Sequence, residues 1–246
     1  MKKIRKIIKK ILTFFNLEEK RQYSIWKSKL EKLGDEKLSL SSKSSASLFS
    51  NLNENIIFIH IPKAAGMSVV KSIYGINHSS HHPAENYIKE NEVKFKNAFS
   101  FAIVRNPYER LYSAYSYLKN GGMNPIDRVW WDLYLSKYES FECFIVKGGL
   151  KNAVECNADH FIPQYKFICD QHDNIICDYV CNIDNLSSIE KKLSGKLGRD
   201  IIFSHRNKSD KKSSDVEFIY SQRMLEIVNV IYAKDFDILP FEKRYL

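Results

Sequence analysis

The sequence predicts an α/β fold, a parallel sheet with helices on its faces, and three observations carry that expectation. Two apolar runs of strand length, "IIFIHI" at 56–61 and "FSFAIV" at 99–104, each lead through a short turn into a helical pattern. Strands that are apolar throughout are buried on both faces, as in a parallel sheet covered by helices. The chain has 246 residues, enough for one good-sized core, so one main domain with appendages is expected rather than two equal domains.

In the first segment Ile4, Ile7, Ile8, Ile11, Leu12 and Phe15 recur at helical spacing, with basic residues over most of the other face. This basic amphipathic pattern suits an anionic membrane surface, and equally a helix docked on the same chain or on another copy. Tyr23, Trp26, Leu30 and Leu33 continue a helical stripe, so residues 1–33 form a helical extension. Gly34 and the serine-rich "SLSSKSSASLFS" make 34–54 a linker, and the folded domain is expected over 55–246.

Within that domain "IIFIHI" feeds a helix through "MSVVKSIY". "FSFAIV" ends at Arg105; Asn106 is the N-cap, Pro107 the first helical residue, and Glu109 completes a capping arrangement ahead of "RLYSAYSYL". Aromatic-rich helix is expected from Pro125 to Val146, a strand or strand pair in "NIICDYVCNI", and a helix in "SSIEKKL". A short strand in "DIIFSHRN" and one long final helix in "DVEFIYSQRMLEIVNVIYAKDF" complete the order. Ligands of such sheets bind beyond the carboxyl ends of the strands, where both early turns lie.

Composition narrows the function classes. The net charge is +9, but Lys2, Lys3, Arg5, Lys6, Lys9 and Lys10 supply six of the 38 basic residues, which leaves 32 against 29 acidic ones. Nucleic-acid binding needs a basic folded face rather than a basic end, so no nucleic-acid partner is expected. The five cysteines are odd in number and include no C-x-x-C pair, which suits a reducing compartment. Cys177 and Cys181 lie among apolar neighbours, as buried strand thiols rather than metal ligands. No apolar run is long enough to span a bilayer, and Lys9 and Lys10 interrupt what would be a signal-peptide core. A cytoplasmic protein, held peripherally at a membrane if residues 1–16 bind one, is the expectation.

The turn "PKAAGMS" at 62–68 is an anion cradle in outline. Backbone amides entering a helix converge on one spot that the helix dipole makes favourable for negative charge. Ala64, Ala65 and Gly66 allow close approach, Lys63 adds a full charge and Ser68 a hydroxyl. The Walker loop places lysine directly after the last glycine; here it comes three residues before, and no glycine opens the loop. In the second turn Arg105 leaves the strand end and Ser113 follows two helical turns on, a pair suited to a second phosphate. Glu109 and Arg110 are expected to be solvated helix surface.

Together, "FIHIPKAAGMS" and "FAIVRNPYERLYSAY" resemble the motifs of carbohydrate sulfotransferases of the family 2 type, written F-x-H-x-P-K-[TA]-[AG]-G-[TS]-S and V-R-[ND]-P-[YFW]-x-R-x-x-S-x-Y. Fainter similarities, in "HFIPQYKFI", "DYVCNIDNL", "SHRNKSD" and "IVNVIYAKDFDIL", run from about residue 55 to the end of the chain. The resemblance implies a P-loop-like three-layer α/β fold and 3′-phosphoadenosine 5′-phosphosulfate (PAPS) as donor, with no metal required. It implies that Pro62, Lys63, Ala64, Ala65, Gly66, Met67 and Ser68 hold the 5′-phosphosulfate and that Arg105 and Ser113 hold the 3′-phosphate. Met67 stands where threonine or serine is usual, which removes one hydroxyl contact.

Sulfuryl transfer needs a base for the acceptor hydroxyl, and histidine suits it near neutral pH. Family members carry a histidine in an H-x-[TP]-A context; in "NHSSHHPAENY" His81 fits that spacing and is the candidate base, with His82 the near alternative. Lys63 has a second, catalytic role in neutralising the departing phosphate. His60 is expected to be a packed core histidine. His160 and Gln164 are candidates to line the acceptor cleft, and His205, Asn207 and Ser209 to close over the nucleotide. Among Tyr112, Tyr115, Tyr117, Trp130, Trp131 and Tyr134, most are expected in the core and the rest against sugar rings. The acceptor implied is a carbohydrate, as polysaccharide or glycolipid. The competing readings are a P-loop kinase or NTPase, which would bind ATP with magnesium, and a nucleotide-binding interaction protein without turnover.

Overall fold

In the computed structural model, which describes residues 17, 20, 21, 24, 25, 28, 47–49, 55–77, 79–123, 125–203 and 219–246, the two apolar runs lie side by side. Ile56–Ile59 (β1) pairs in parallel with Phe99–Val104 (β2), which pairs in parallel with Tyr179–Asn182 (β3), in the order β1-β2-β3. The register sets Phe58 opposite Phe101 and Ile103 opposite Cys181. All four residues of β1 are buried, as an apolar run without alternation requires.

Helices fill the crossovers. Gly66–Tyr74 (α1) ends at Gly75, whose φ of 70° closes the helix with a bond from its N–H to the Lys71 carbonyl. Ala84–Asn97 (α2) was not anticipated in the polar segment after Gly75, because its apolar positions are few: Ala84, Tyr87 and Phe95 alone are buried. Pro107–Lys119 (α3) begins as expected, the Asn106 side chain accepting from Tyr108 N at 3.1 Å.

Pro125–Trp130 (α4) runs into a π-helical turn over Trp131–Leu135, and Phe141–Val146 (α5) starts afresh under a Ser140 cap. Two short helices, Gly149–Glu155 (α6) and Tyr165–Ile168 (α7), precede β3, and Leu186–Leu197 (α8) follows it. None of the five cysteines forms a disulfide; Cys181 is buried in β3 and Cys177 is half-buried.

Two expectations are corrected. Ile201–Phe203 is not a strand: its amides go to α8 side chains instead, Ile201 N to Ser194 Oγ at 2.9 Å and Phe203 N to Glu190 Oε1 at 2.6 Å. The final helix is two, Gln222–Ile231 (α9) and Ala233–Ile238 (α10), broken at Tyr232. Tyr232 is spent on a core bond from its hydroxyl to the Phe161 carbonyl at 2.7 Å. Residues 1–16 and 34–46 lie outside the described residues, whereas positions 17, 20, 21, 24, 25 and 28 are helical. No helix among the described residues is long and apolar enough to cross a membrane.

One apolar cluster joins the sheet (Ile57, Ile59, Phe101, Ile103) to Val69, Val70 and Ile73 of α1 and to Ile189 and Leu193 of α8. A second, helical cluster gathers Leu111, Tyr115, Phe144, Ile145, Met224 and Val228. Each fully buried side chain of this size stabilises the fold by roughly 1.5–3 kcal/mol. The carboxyl ends of β1 and β2 carry the two motif turns.

Candidate active site

The turn after β1 is bent by two non-glycine residues in left-handed conformation, Lys63 (φ 68°) and Ala65 (φ 60°), each at a cost of roughly 1–2 kcal/mol. Left-handed residues within a turn aim successive amides to one side and create a concavity for an anion. Ala65 is the N-cap of α1 and makes no side-chain cap bond. The first turn of the helix lies at the positive end of its dipole, with the Ser68 amide turned back to the Ala65 carbonyl at 3.1 Å. Of the three small residues, Ala64 is fully buried in the sheet cluster and Ala65 is half-buried. Gly66 is small for a reason of its own: a Cβ there would lie 1.7 Å from Nε2 of His60. Met67 and Ser68 are half-buried in the first turn.

The Lys63 ammonium sits 3.6 Å from the centre of the Tyr117 ring. Burial lowers its pKa to about 8; the nearby carboxylate of Asp127 opposes the shift and the Arg105 guanidinium adds to it. Arg105 in turn donates from Nε to Glu109 Oε2 at 3.3 Å. Two cations from adjacent strand ends thus share a space where Asp127 and Glu109 offset them in part. Glu109, Ser113 and Tyr117 follow Arg105 at intervals of four, so one stripe of α3 runs from the guanidinium to the ring that holds Lys63. Ser113 is half-buried on that stripe.

Three residues read as surface or cleft are internal struts. Arg110 is buried, against the expectation of solvated surface, and donates to the carbonyls of Pro62 (3.0 Å), Ile162 (2.8 Å) and His160 (3.4 Å). Its guanidinium interacts across the core with the buried Asp235. Glu109 is buried as well, because it turns to Arg105 and not to solvent. Gln164 does not line a cleft: its amide bridges the backbone N (2.9 Å) and O (2.8 Å) of Arg105, and its own N–H goes to Asp235 Oδ2 at 2.9 Å.

Three imidazoles converge beside Lys63. The His81 ring packs edge-on against His60, centroids 4.7 Å apart, and against His160 at 5.9 Å. Burial holds His60 well below the ordinary histidine value, and the charges of His81, His160 and Lys63 add to this. Burial lowers His160 too, in spite of Asp127, whose Oδ1 lies 3.3 Å from His160 Nε2. Burial by itself would raise the Asp127 carboxyl, but bonds from His160, Tyr117 and Met123 N hold it below the usual range. The Nδ1 atoms of His60 and His160 are buried with no hydrogen-bond partner.

His81 is half-buried with Nδ1 3.4 Å from Asp159 Oδ2, whereas His82 is buried and turned to Asn86 at 3.5 Å. The fold thus brings Lys63, His60, His81 and His160 together and sets His82 behind them. His205, Asn207 and Ser209 lie outside the described residues. Asp127 and Asp159 carried no signal in the sequence as site residues, whereas Tyr117, one of the aromatic candidates, lies against Lys63 rather than in the core. Of the other aromatic candidates, Tyr115, Trp130 and Tyr134 are core. No group of three or more His, Cys, Asp or Glu among the described residues is arranged to hold a metal ion.

No curated protein and no solved structure matches the chain. A family model does: that of the sulfotransferase family, over residues 47–242. This span contains both motif turns, the histidine cluster and all three strands. From the turn at Lys63 to the arginine and serine of α3, the chain is built as one unit that this family model covers, and it belongs to the sulfotransferase family.

Proposed function

We propose that this sulfotransferase moves a sulfuryl group from PAPS to a hydroxyl of a carbohydrate acceptor, with His81 as the general base. The observation that carries the proposal is the approach of Lys63 and Arg105 at the ends of adjacent strands, beside a helix start with no side-chain cap. Two cations this close favour a ligand with two anionic groups. An ADP-like diphosphate reaching Lys63 alone would leave Arg105 with Glu109 only.

In this mechanism the loop from Pro62 to Ser68 holds the 5′-phosphosulfate through its amides, the Lys63 ammonium and the Ser68 hydroxyl. Arg105 and Ser113 hold the 3′-phosphate; the Nε of Arg105 is engaged by Glu109, which leaves its terminal nitrogens for a bidentate grip. The acceptor hydroxyl gives its proton to His81 as its oxygen bonds to sulfur. The bond from sulfur to the bridging oxygen breaks, and adenosine 3′,5′-bisphosphate leaves with that electron pair, its charge neutralised by Lys63. General base catalysis of this kind supplies ~10²–10⁴-fold.

For the acceptor, a groove of about 530 Å³ lined by Pro83, Asn86, Tyr165, Lys166 and Lys234, among others, opens next to the His81–His82 segment. An aromatic ring among amide and charged groups is chemistry suited to a sugar chain, which supports the carbohydrate reading. Residues 1–16 fit a peripheral position on the inner membrane face of a cytoplasmic enzyme; deleting them should abolish binding to anionic liposomes, and unchanged binding would count against it.

The deciding experiment is a calorimetric titration with adenosine 3′,5′-bisphosphate, ADP, and ATP with magnesium. Preference for the 3′,5′-bisphosphate is expected. Preference for ATP would favour a kinase or NTPase, and no binding a non-catalytic role. His81→Ala should abolish transfer from PAPS while His82→Ala retains it; the reverse would move the base to His82.

A further inference from the structure

The two histidines of the cluster that meet a carboxylate do so through opposite ring nitrogens. His160 presents Nε2 to Asp127, which leaves its Nδ1 as the buried, unpartnered nitrogen. His81 presents Nδ1 to Asp159 Oδ2 at 3.4 Å, which leaves Nε2 as the nitrogen without a carboxylate. A neutral imidazole carries one proton, and the nitrogen facing a carboxylate is the one that keeps it.

We propose that Asp159 is a positioning residue: by accepting the Nδ1–H of His81 it selects the tautomer whose Nε2 lone pair takes the proton of the acceptor hydroxyl. This rests on the reading of His81 as the base. The rings of His60 and His160, set at 74° and 67° to His81, limit how the imidazole can turn, and Asp159 then decides which nitrogen faces the acceptor.

The backbone that carries Asp159 is itself held. Asn157 adopts φ 53°, and the turn is closed by Ala158 N to Ala153 O and Phe161 N to Ala158 O, both at 2.8 Å. One residue on, Arg110 ties the His160 and Ile162 carbonyls to that of Pro62, at the head of the donor loop. A single guanidinium thus couples the placement of Asp159, and through it of His81, to the loop that carries Lys63. Such coupling matters because ångström-scale misplacement of a catalytic group costs rate steeply.

The test needs no acceptor sugar. In full-length protein labelled with ¹⁵N-histidine and saturated with adenosine 3′,5′-bisphosphate, at a pH where the imidazoles are neutral, His81 should show a protonated Nδ1 and a pyridine-type Nε2. In Asp159→Ala, which removes a partly exposed side chain, the Nε2 resonance should move to the pyrrole-type position, and Asp159→Glu should restore it. Affinity for the bisphosphate should be unchanged in both. A wild-type His81 protonated on Nε2, or a tautomer indifferent to Asp159→Ala, would overturn the inference. Failure of the base reading shows elsewhere, as full activity in His81→Ala, and leaves the tautomer result intact.

Discussion

The imidazole of His60 occupies the space that any side chain at position 66 would need: a Cβ on Gly66 would lie 1.7 Å from His60 Nε2 and 1.9 Å from Cδ2. Both residues are buried, and His81 packs edge-on against the same ring. Gly66→Ala therefore has to displace His60 into the cluster, at a cost of roughly 1–3 kcal/mol or more. His60→Ala in the Gly66→Ala background should recover much of that loss, a non-additivity that denaturant unfolding of the two single variants and the double variant measures directly.

Lys63 is brought to about pKa 8 mainly by burial, so binding of the proposed donor should depend on pH. A bound bisphosphate favours the ammonium and raises this pKa. Below pH 8 the lysine is already charged and binding takes up little proton. Above pH 8 binding must protonate it, so affinity should fall by up to tenfold per pH unit until the pKa of the complex is reached. Calorimetry of adenosine 3′,5′-bisphosphate in two buffers of different ionisation enthalpy should show proton uptake above pH 8 that Lys63→Met abolishes.

Arg110 holds three carbonyls from two segments and answers the buried Asp235. Arg110→Met leaves those acceptors unpaired and a carboxylate without its countercharge, which should destabilise the protein by at least ~3 kcal/mol in chemical denaturation. Arg110→Lys should fail to restore it, because a point charge on a flexible stem does not reproduce the planar fork.

The neutral histidines should make the fold acid-labile. His60 and His160 titrate below the ordinary histidine value chiefly because they are buried. The unfolded chain takes up protons near pH 6.5 while the folded one does not, so stability is full above that pH and declines as pH falls through it. Thermal unfolding followed from pH 7 to pH 5 should show a falling Tm, with a shallower fall in His160→Gln.

The parts of this molecule legible without coordinates are those set by neighbours in the chain. Continuous apolar runs marked β1 and β2, and Asn106 with Pro107 marked the start of α3, because burial period and capping act over a few residues. The same locality made the two motif turns readable. It misjudged α2, whose polar surface hides its three buried residues, and the end of the chain, where Tyr232 leaves the helix to serve a carbonyl 71 positions away.

By itself the sequence determined the strand–turn–helix units and the chemical character of each turn. Only the tertiary structure decided that Arg110 and Glu109 face inward, that Gln164 braces Arg105, and that His60, His81 and His160 meet beside Lys63 while His82 stands apart. The reason is that a side chain's partner, and with it burial, charge and tautomer, is set by packing between segments far apart in the chain, as Arg110 and Asp235 are, which no local periodicity records.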